Sequence, residues 1–143
     1  MTVAQTELLD GTDTAELPII EFVAPMPGFA AEHNFVLVRV DDSGLVYALS
    51  SVDTPGLRFL VVPPAPFFPD YAPEIDDEAL ASLGASGTDG LLVLLVVTTG
   101  ATAVDATANL MAPIVVDRDS MRAIQVVLSG TGYPVRAVMN PVY

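Results

Sequence analysis

The residues of this sequence that could do chemistry are concentrated in one acidic stretch. Five carboxylates fall within nine residues: Asp70, Glu74, Asp76, Asp77 and Glu78, with Tyr71 beside the first. Clustered carboxylates can bind Ca²⁺, but the stretch lacks the alternating ligands and the glycine of an EF-hand loop. They can also begin a helix, whose N-terminal dipole favours negative charge, or contact a basic partner. The sequence leaves all three open: a solvated helix start, a partner contact and a metal site.

The residue types that most catalytic sites require are scarce. His33 is the only histidine, and the chain has no cysteine and no lysine. A single histidine cannot build a histidine-rich metal site, and without lysine neither Schiff-base nor Walker-type phosphate chemistry is available. The glycines of residues 84–90 match no phosphate-binding spacing. We therefore expect His33 at the surface, with no catalytic residue, no metal and no cofactor.

The charge of the chain restricts its partners. The formal net charge is −13, and all five basic residues are arginines. Such a chain repels nucleic-acid backbones and anionic membranes and favours a basic protein, although acidity can also serve only to keep a 52% hydrophobic chain in solution. The first residues carry no positive charge and no apolar core, so we expect no signal peptide. The longest apolar run, residues 91–97, is far shorter than the roughly 20 residues of a membrane helix. We expect a cytoplasmic protein that binds neither nucleic acid nor membrane.

Short apolar runs separated by turn residues make up most of the chain from residue 19 onwards. They are rich in Val, Ile, Leu and Phe and cover residues 19–23, 35–40, 45–49, 57–62, 90–98, 114–116, 124–128 and, more weakly, 135–139. Gly, Pro and Asp separate them, as in Asp42-Ser43-Gly44, which is typical of a hairpin turn. The pattern predicts seven or eight strands arranged as a small antiparallel barrel or sandwich.

One segment has the pattern of a helix. Residues 74–83 combine an acidic start with an Ala- and Leu-rich continuation, Pro73 precedes them, and Gly84 is placed to end the helix. The expected fold is mostly β: a small antiparallel β-barrel-like single domain with one short helix. It would span residues 1–143, with residues 1–17 as a loosely ordered N-terminal arm.

Four segments, in the same order along the chain, resemble the family of the flagellar assembly factor FliW. The first is Met26-Pro27-Gly28-Phe29 with the strand that follows it, and the longest covers residues 49–71, closing on Phe68-Pro69-Asp70-Tyr71. The third and most specific is TANLMAPIVVD at residues 107–117, which contains Asn109 and Pro113. The last is residues 125–128 with Tyr133 and Arg136 downstream.

Each of these motifs also has a structural interpretation. Pro27 and Gly28 are expected to form a turn that needs the backbone freedom of glycine. Asn109 is expected to fix a loop through hydrogen bonds from its side chain to the backbone. The aromatic residues of the motifs are expected in the core: Phe29, Phe59, Phe67 and Phe68.

The resemblance implies a function that the residues alone do not give. In the FliW family the protein antagonises CsrA, an RNA-binding repressor of translation, and it also binds flagellin, which couples flagellin synthesis to flagellar assembly. It implies a mostly antiparallel β-barrel-like fold, no cofactor and no catalysis. The densest acidic stretch is the expected CsrA contact: Asp70, Tyr71, Glu74, Asp76, Asp77 and Glu78. The alternative is a small β-barrel enzyme or ligand-binding protein, which would show a concave cavity with convergent polar groups.

Overall fold

The structure is a computed structural model of the chain that describes residues 19–26, 28–40, 45–85, 87, 89–99 and 106–139. Within these residues it is built from nine strands and one short helix. In chain order they are β1 (Ile20–Phe22), β2 (Asn34–Arg39), β3 (Tyr47–Ser51), β4 (Arg58–Val62), α1 (Asp77–Leu83), β5 (Leu91–Thr98), β6 (Thr107–Ala108), β7 (Ile114–Asp117), β8 (Arg122–Gln125) and β9 (Ala137–Val138).

Seven of the strands close into a barrel. The order β4-β3-β2-β1-β8-β7-β5 returns to its start because β4 also pairs with β5, with Val61 opposite Val96. Closure leaves the ring without a free edge, which removes the backbone groups through which sheets aggregate. The expected fold class, a mostly β barrel with one short helix, is confirmed. One pair departs from the antiparallel pattern, since β1 and β8 run parallel with Glu21 opposite Arg122.

The barrel interior is filled by apolar side chains from every strand of the ring. Successive residues of a strand point to opposite faces, so alternate residues enter the interior. We call the buried set the inner core: Ile20, Phe22, Met26, Phe35, Leu37, Leu49, Val61, Leu94, Ile114, Val116 and Ala123. Phe22 and Phe35 meet edge to face with ring centroids 5.2 Å apart. Among the described residues, the interior is therefore filled by a packed apolar core.

A second apolar cluster lies on the outside of the barrel. Val62 and Leu95 follow the inward-facing Val61 and Leu94, and their side chains point outwards, where they are fully buried by another layer. That layer consists of the chain between β4 and α1 and the β6–β9 ribbon, which continues the sheet beyond one half of β5. We call the buried set the outer layer: Val62, Phe67, Leu95, Ala108 and Leu110.

The helix exists but begins later than the sequence predicted. Asp76 has an extended backbone and its carboxylate accepts a hydrogen bond from the Ala79 N–H at 2.8 Å, so it is the N-cap and α1 starts at Asp77. Glu74 and Pro73 therefore lie outside the helix, which corrects the predicted span of 74–83. Gly84 ends it as predicted, with φ 74°, and the Ala85 N–H donates to the Leu80 carbonyl.

Two further expectations are corrected by the structure, and three lie outside the described residues. Phe29 is not a core residue: it is 36% exposed and packs edge to face against Phe59, with ring centroids 5.0 Å apart, while Phe59 packs against the inner core. The strand predicted at 124–128 lies at Arg122–Gln125. It ends before Val126 because Pro113, which is opposite Val126, accepts a bond from the Val126 N–H but has no N–H to donate in return. The arm at 1–17, the turn at 41–44 and Pro27 lie outside the described residues. Within the described part of the chain no helix has the length and apolarity needed to cross a membrane.

Candidate functional site

The most distinctive surface of the described molecule begins where β4 ends. Residues 63–73 contain five prolines, which fix φ and restrict the chain to few conformations. The N–H groups of Phe67 and Phe68 both donate to the Pro64 carbonyl, at 3.0 and 2.7 Å, and the Tyr71 N–H donates to the Phe68 carbonyl at 3.0 Å. These bonds turn the segment back on itself, so that Phe67 is buried in the outer layer and Phe68 and Tyr71 are half-buried.

An excursion of the chain between β6 and β7 supplies the opposite wall. Both strands pair with β5, but Val97 is opposite Ala108 and Leu94 is opposite Ile114, so two residues of β5 face five residues, 109–113. The Asn109 carboxamide oxygen accepts hydrogen bonds from the Met111 and Ala112 N–H groups, at 3.0 and 3.1 Å. This is the loop-fixing role expected for Asn109 from the sequence. Its effect is to bury Leu110 in the outer layer.

Tyr71 joins the two walls. Its hydroxyl donates a hydrogen bond of 2.6 Å to the Leu110 carbonyl, and its ring packs edge to face against Tyr133 with centroids 4.8 Å apart. Burial, with a smaller contribution from Tyr133, raises the pKa of the Tyr71 phenol to about 12. The Leu110 N–H in turn donates to the Pro134 carbonyl at 3.0 Å, which holds the Tyr133 segment in place.

Between these walls lies an open groove with a volume of about 340 Å³. We call it the aromatic groove, and it is lined by Phe67, Phe68, Pro69, Asp70, Tyr71, Leu110 and Tyr133. Its lining is mostly apolar, and Asp70, exposed at its rim, is the one charged residue among the seven. The hydroxyl of Tyr71 is already committed to Leu110, so the groove offers contact area more than hydrogen bonds.

The acidic stretch continues from the rim of this groove. Glu74, Asp76, Asp77 and Glu78 are all exposed on the approach to α1 and in its first turn. Of the six predicted contact residues, the structure thus places Asp70 and Tyr71 in the groove and the other four beyond it along the chain. Asp76 also has the structural task of capping the helix. Among the described residues no three His, Cys, Asp or Glu side chains converge on a common metal position.

The remaining motif residues have structural positions. Gly28 has φ 86°, a conformation that other residues rarely adopt, and Pro113 is fully buried at the start of β7. His33 is exposed, as expected. Reasoning from the sequence missed Leu110 as part of the site, and it named Tyr133 only as a motif residue. Both enter the groove through long-range contacts, and the one available signal was the Asn109 motif that places Leu110.

Comparison with known proteins extends these observations. Residues 3–139 match the model of the family described as FliW protein. The chain is 35% identical over 129 residues to the flagellar assembly factor FliW of Geobacillus sp. (strain WCH70), covering 90% of this chain and 89% of the relative. It is 36% identical over 118 residues to the flagellar assembly factor FliW of Bacillus subtilis (strain 168), with 82% of each covered.

The fold agrees with the sequence match. A crystal structure of the flagellar assembly factor FliW superimposes with a TM-score of 0.80 at 33% identity, covering 86% of both chains. The family match covers nearly the whole length of the chain. The closed barrel, the short helix and the order of the motifs agree with it. The chain belongs to the FliW family, whose named relatives are flagellar assembly factors.

Proposed function

We propose that this protein binds the translational repressor CsrA and prevents it from repressing flagellin synthesis, and that it also binds flagellin. Flagellin that accumulates before export would occupy the protein and free CsrA. The observation that carries this proposal is the family match over residues 3–139. In this proposal the protein acts in the cytoplasm by binding other proteins. It uses no cofactor, carries out no catalytic step and makes no direct contact with nucleic acid or membrane.

Charge supports a basic partner. CsrA must present a basic surface to RNA, because protein–RNA affinity depends on neutralising phosphates. A chain of net charge −13 is attracted to such a surface, and long-range attraction accelerates association. The exposed carboxylates at Asp70, Glu74, Asp77 and Glu78 supply a concentrated part of that charge next to an apolar groove. We propose this face as part of the CsrA contact.

The alternative, a β-barrel enzyme or ligand-binding protein, has less support. A small-molecule site normally combines a concave cavity with several convergent polar groups. The barrel interior is packed by the inner core instead. The groove outside it is mostly apolar; its polar side-chain groups are the Asp70 carboxylate and the hydroxyls of Tyr71 and Tyr133, and the Tyr71 hydroxyl is already bonded to Leu110.

The experiment that tests the proposal is a calorimetric titration of the purified full chain with purified CsrA and, separately, with purified flagellin. Binding to both is expected, and addition of flagellin should release CsrA from a preformed complex. EDTA in the buffer should leave both affinities unchanged, because the proposal needs no metal. Absence of CsrA binding by a well-folded protein would overturn the proposed function, and loss of binding in EDTA would overturn the metal-free part.

A further inference from the structure

The aromatic groove and the acidic stretch are adjacent along the chain. Asp70 belongs to both, since it lines the groove and is the first carboxylate of the stretch that runs on to Glu78. A segment that enters the groove therefore passes from an apolar floor into a negative field within a few residues. This arrangement is complementary to a peptide that carries an apolar side chain next to lysine or arginine.

The groove is preformed. Its walls are held by the Pro64 backbone bonds, by the Asn109 carboxamide and by the hydroxyl of Tyr71 on Leu110. A site that is already ordered does not lose conformational entropy when a ligand enters, so a larger share of the contact energy appears as affinity. Aromatic side chains in such a pocket are typical of the positions that dominate binding energy at protein interfaces.

The size and chemistry of the groove favour a side chain over a cofactor. Its volume of about 340 Å³ lies at the low end of the range of roughly 300–1,000 Å³ for small-molecule sites. Its polar side-chain groups are few for a cofactor site: the Asp70 carboxylate, the Tyr133 hydroxyl and the Tyr71 hydroxyl, which is already bonded to Leu110. One or two large apolar side chains, held by ring contacts and flanked by the Asp70 carboxylate, match this site.

We propose that the aromatic groove is an anchor site for an apolar side chain on a basic segment of a protein partner, with Asp70 contacting a lysine or arginine beside that side chain. This rests on the proposed function only in taking CsrA as the basic partner. The acidic stretch accelerates association with the partner, and the contacts in the groove slow its dissociation. The half-buried Tyr133 ring contributes apolar lining to the groove, and Asp70 supplies its charge.

Two pairs of variants test the anchor by titration with CsrA. Tyr133→Ala removes a wall and should weaken binding about tenfold or more, as truncation of a central aromatic anchor does. Tyr133→Phe keeps the ring that packs against Tyr71 and should bind within about twofold of wild type, because the proposed anchor contact is made by the ring and not by its hydroxyl. Asp70→Asn should weaken binding a few-fold at low salt and less at high salt.

The control for Asp70→Asn is Asp89→Asn. Asp89 is also exposed, but it precedes β5 at the end away from β6 and the groove, roughly 25 Å along a strand of eight residues. Asp89→Asn removes the same charge from the chain as Asp70→Asn does, at a position outside the groove. Equal weakening by the two variants would show that only net charge matters and would overturn the role of Asp70.

A measurement that needs no variant uses a short peptide with alternating lysine and leucine as the probe. Its addition to the isotopically labelled full chain should shift the NMR signals of Tyr71, Leu110 and Tyr133, and a peptide with serine in place of leucine should not shift them. Shifts confined to residues elsewhere, or equal shifts with both peptides, would overturn the anchor.

If wild type binds CsrA and Tyr133→Ala binds equally well, the anchor fails and the proposed function stands. If wild type does not bind CsrA, the proposed function fails, and the peptide result alone decides the anchor.

Discussion

The inner core and the outer layer are built from the same strands, yet they differ in how completely they are closed. β4 and β5 contribute neighbouring residues to each, with Val61 and Leu94 inside and Val62 and Leu95 outside. Inside, strands from all around the ring cover every side chain. Outside, covering depends on a proline-rich segment and a two-stranded ribbon, and the half-buried rings of Phe68, Tyr71 and Tyr133 remain at the surface.

This difference separates the part of the molecule that maintains the fold from the part that is available for contact. A closed barrel leaves no free backbone edge and no interior space, so its residues can do little but pack. The outer layer keeps apolar area accessible beside carboxylates, which is the composition of an interface centre with a charged rim. Changes in the inner core should therefore alter stability, and changes at the groove should alter binding more than stability.

Phe35→Ala should give the largest effect on stability. Phe35 is fully buried and contacts the rings of Phe22 and Phe59, so its truncation leaves a cavity that the closed ring cannot collapse. We expect a loss of about 3–5 kcal/mol in the free energy of unfolding, measured by urea denaturation. Tyr133→Ala in the half-open layer is the matched comparison and should cost about 1–2 kcal/mol. Equal losses would contradict the division between the two regions.

Asn109→Ala should have the second-largest effect on stability, because Asn109 links the barrel to the outer layer. Without the carboxamide, the N–H groups of Met111 and Ala112 lose their acceptor in a half-buried loop. We expect a loss of about 1–3 kcal/mol. Asn109→Asp keeps an acceptor oxygen and should recover most of that loss. If both variants were as stable as wild type, the excursion of residues 109–113 would be held by other contacts.

These two regions were not equally predictable from the sequence. Runs of apolar residues separated by turns predicted the barrel strands because each strand has its own local pattern, and Gly84 marked the end of the helix. The start of α1 was misplaced because the capping bond of Asp76 overrides the acidic composition of residue 74 onwards. The parallel pairing of β1 with β8 and the two-residue strand β6 depend on closure of the ring and leave no local signal.

The groove was the least predictable part, because it too is formed by residues that are far apart in the chain and leave no local signal. Asp70 and Tyr71 could be selected from their composition, but their partners Leu110 and Tyr133 are 39 and 62 residues away from Tyr71 in the chain. Phe29 was placed in the core from its residue type, whereas it is 36% exposed and its ring contacts Phe59, which is 30 residues away in the chain. Residue type predicts burial only where the local pattern also determines the direction of the side chain.

Tyr71→Phe should have a smaller effect that depends on pH. At neutral pH the variant loses the hydrogen bond to the Leu110 carbonyl, which is worth about 1 kcal/mol. Wild-type Tyr71 has a pKa of about 12 in the folded protein, above the value of 10.0 in the unfolded chain, because burial disfavours the phenolate. The unfolded state therefore releases the proton first, and this contribution to stability is present below pH 10 and lost between about pH 10 and 12.

The measurement is urea denaturation of wild type and Tyr71→Phe at pH 8 and pH 11. The difference in stability between the two proteins should be larger at pH 8, since only wild type carries the titrating phenol at this position. Tyr133→Phe serves as the comparison: it keeps the bond to Leu110 and removes only the smaller of the two causes that raise the pKa of Tyr71, so most of the pH dependence should remain. A difference that stayed constant with pH would place the Tyr71 hydroxyl in water.

The double variant Glu74→Lys with Asp77→Lys should have the smallest effect on stability and a clear effect on association. Both side chains are exposed, and Asp76, which caps the helix, is left in place. Exposed substitutions of this kind change the free energy of unfolding by about 0.5 kcal/mol or less, with a small loss from a lysine at the positive end of the helix dipole.

Association with CsrA should slow, and its dependence on salt should weaken, because attraction between the charged surfaces sets the encounter rate. Stopped-flow kinetics over a range of salt concentrations measures both. If a stable double variant associates as fast as wild type, these carboxylates are a solvated helix start and the partner is attracted to another face.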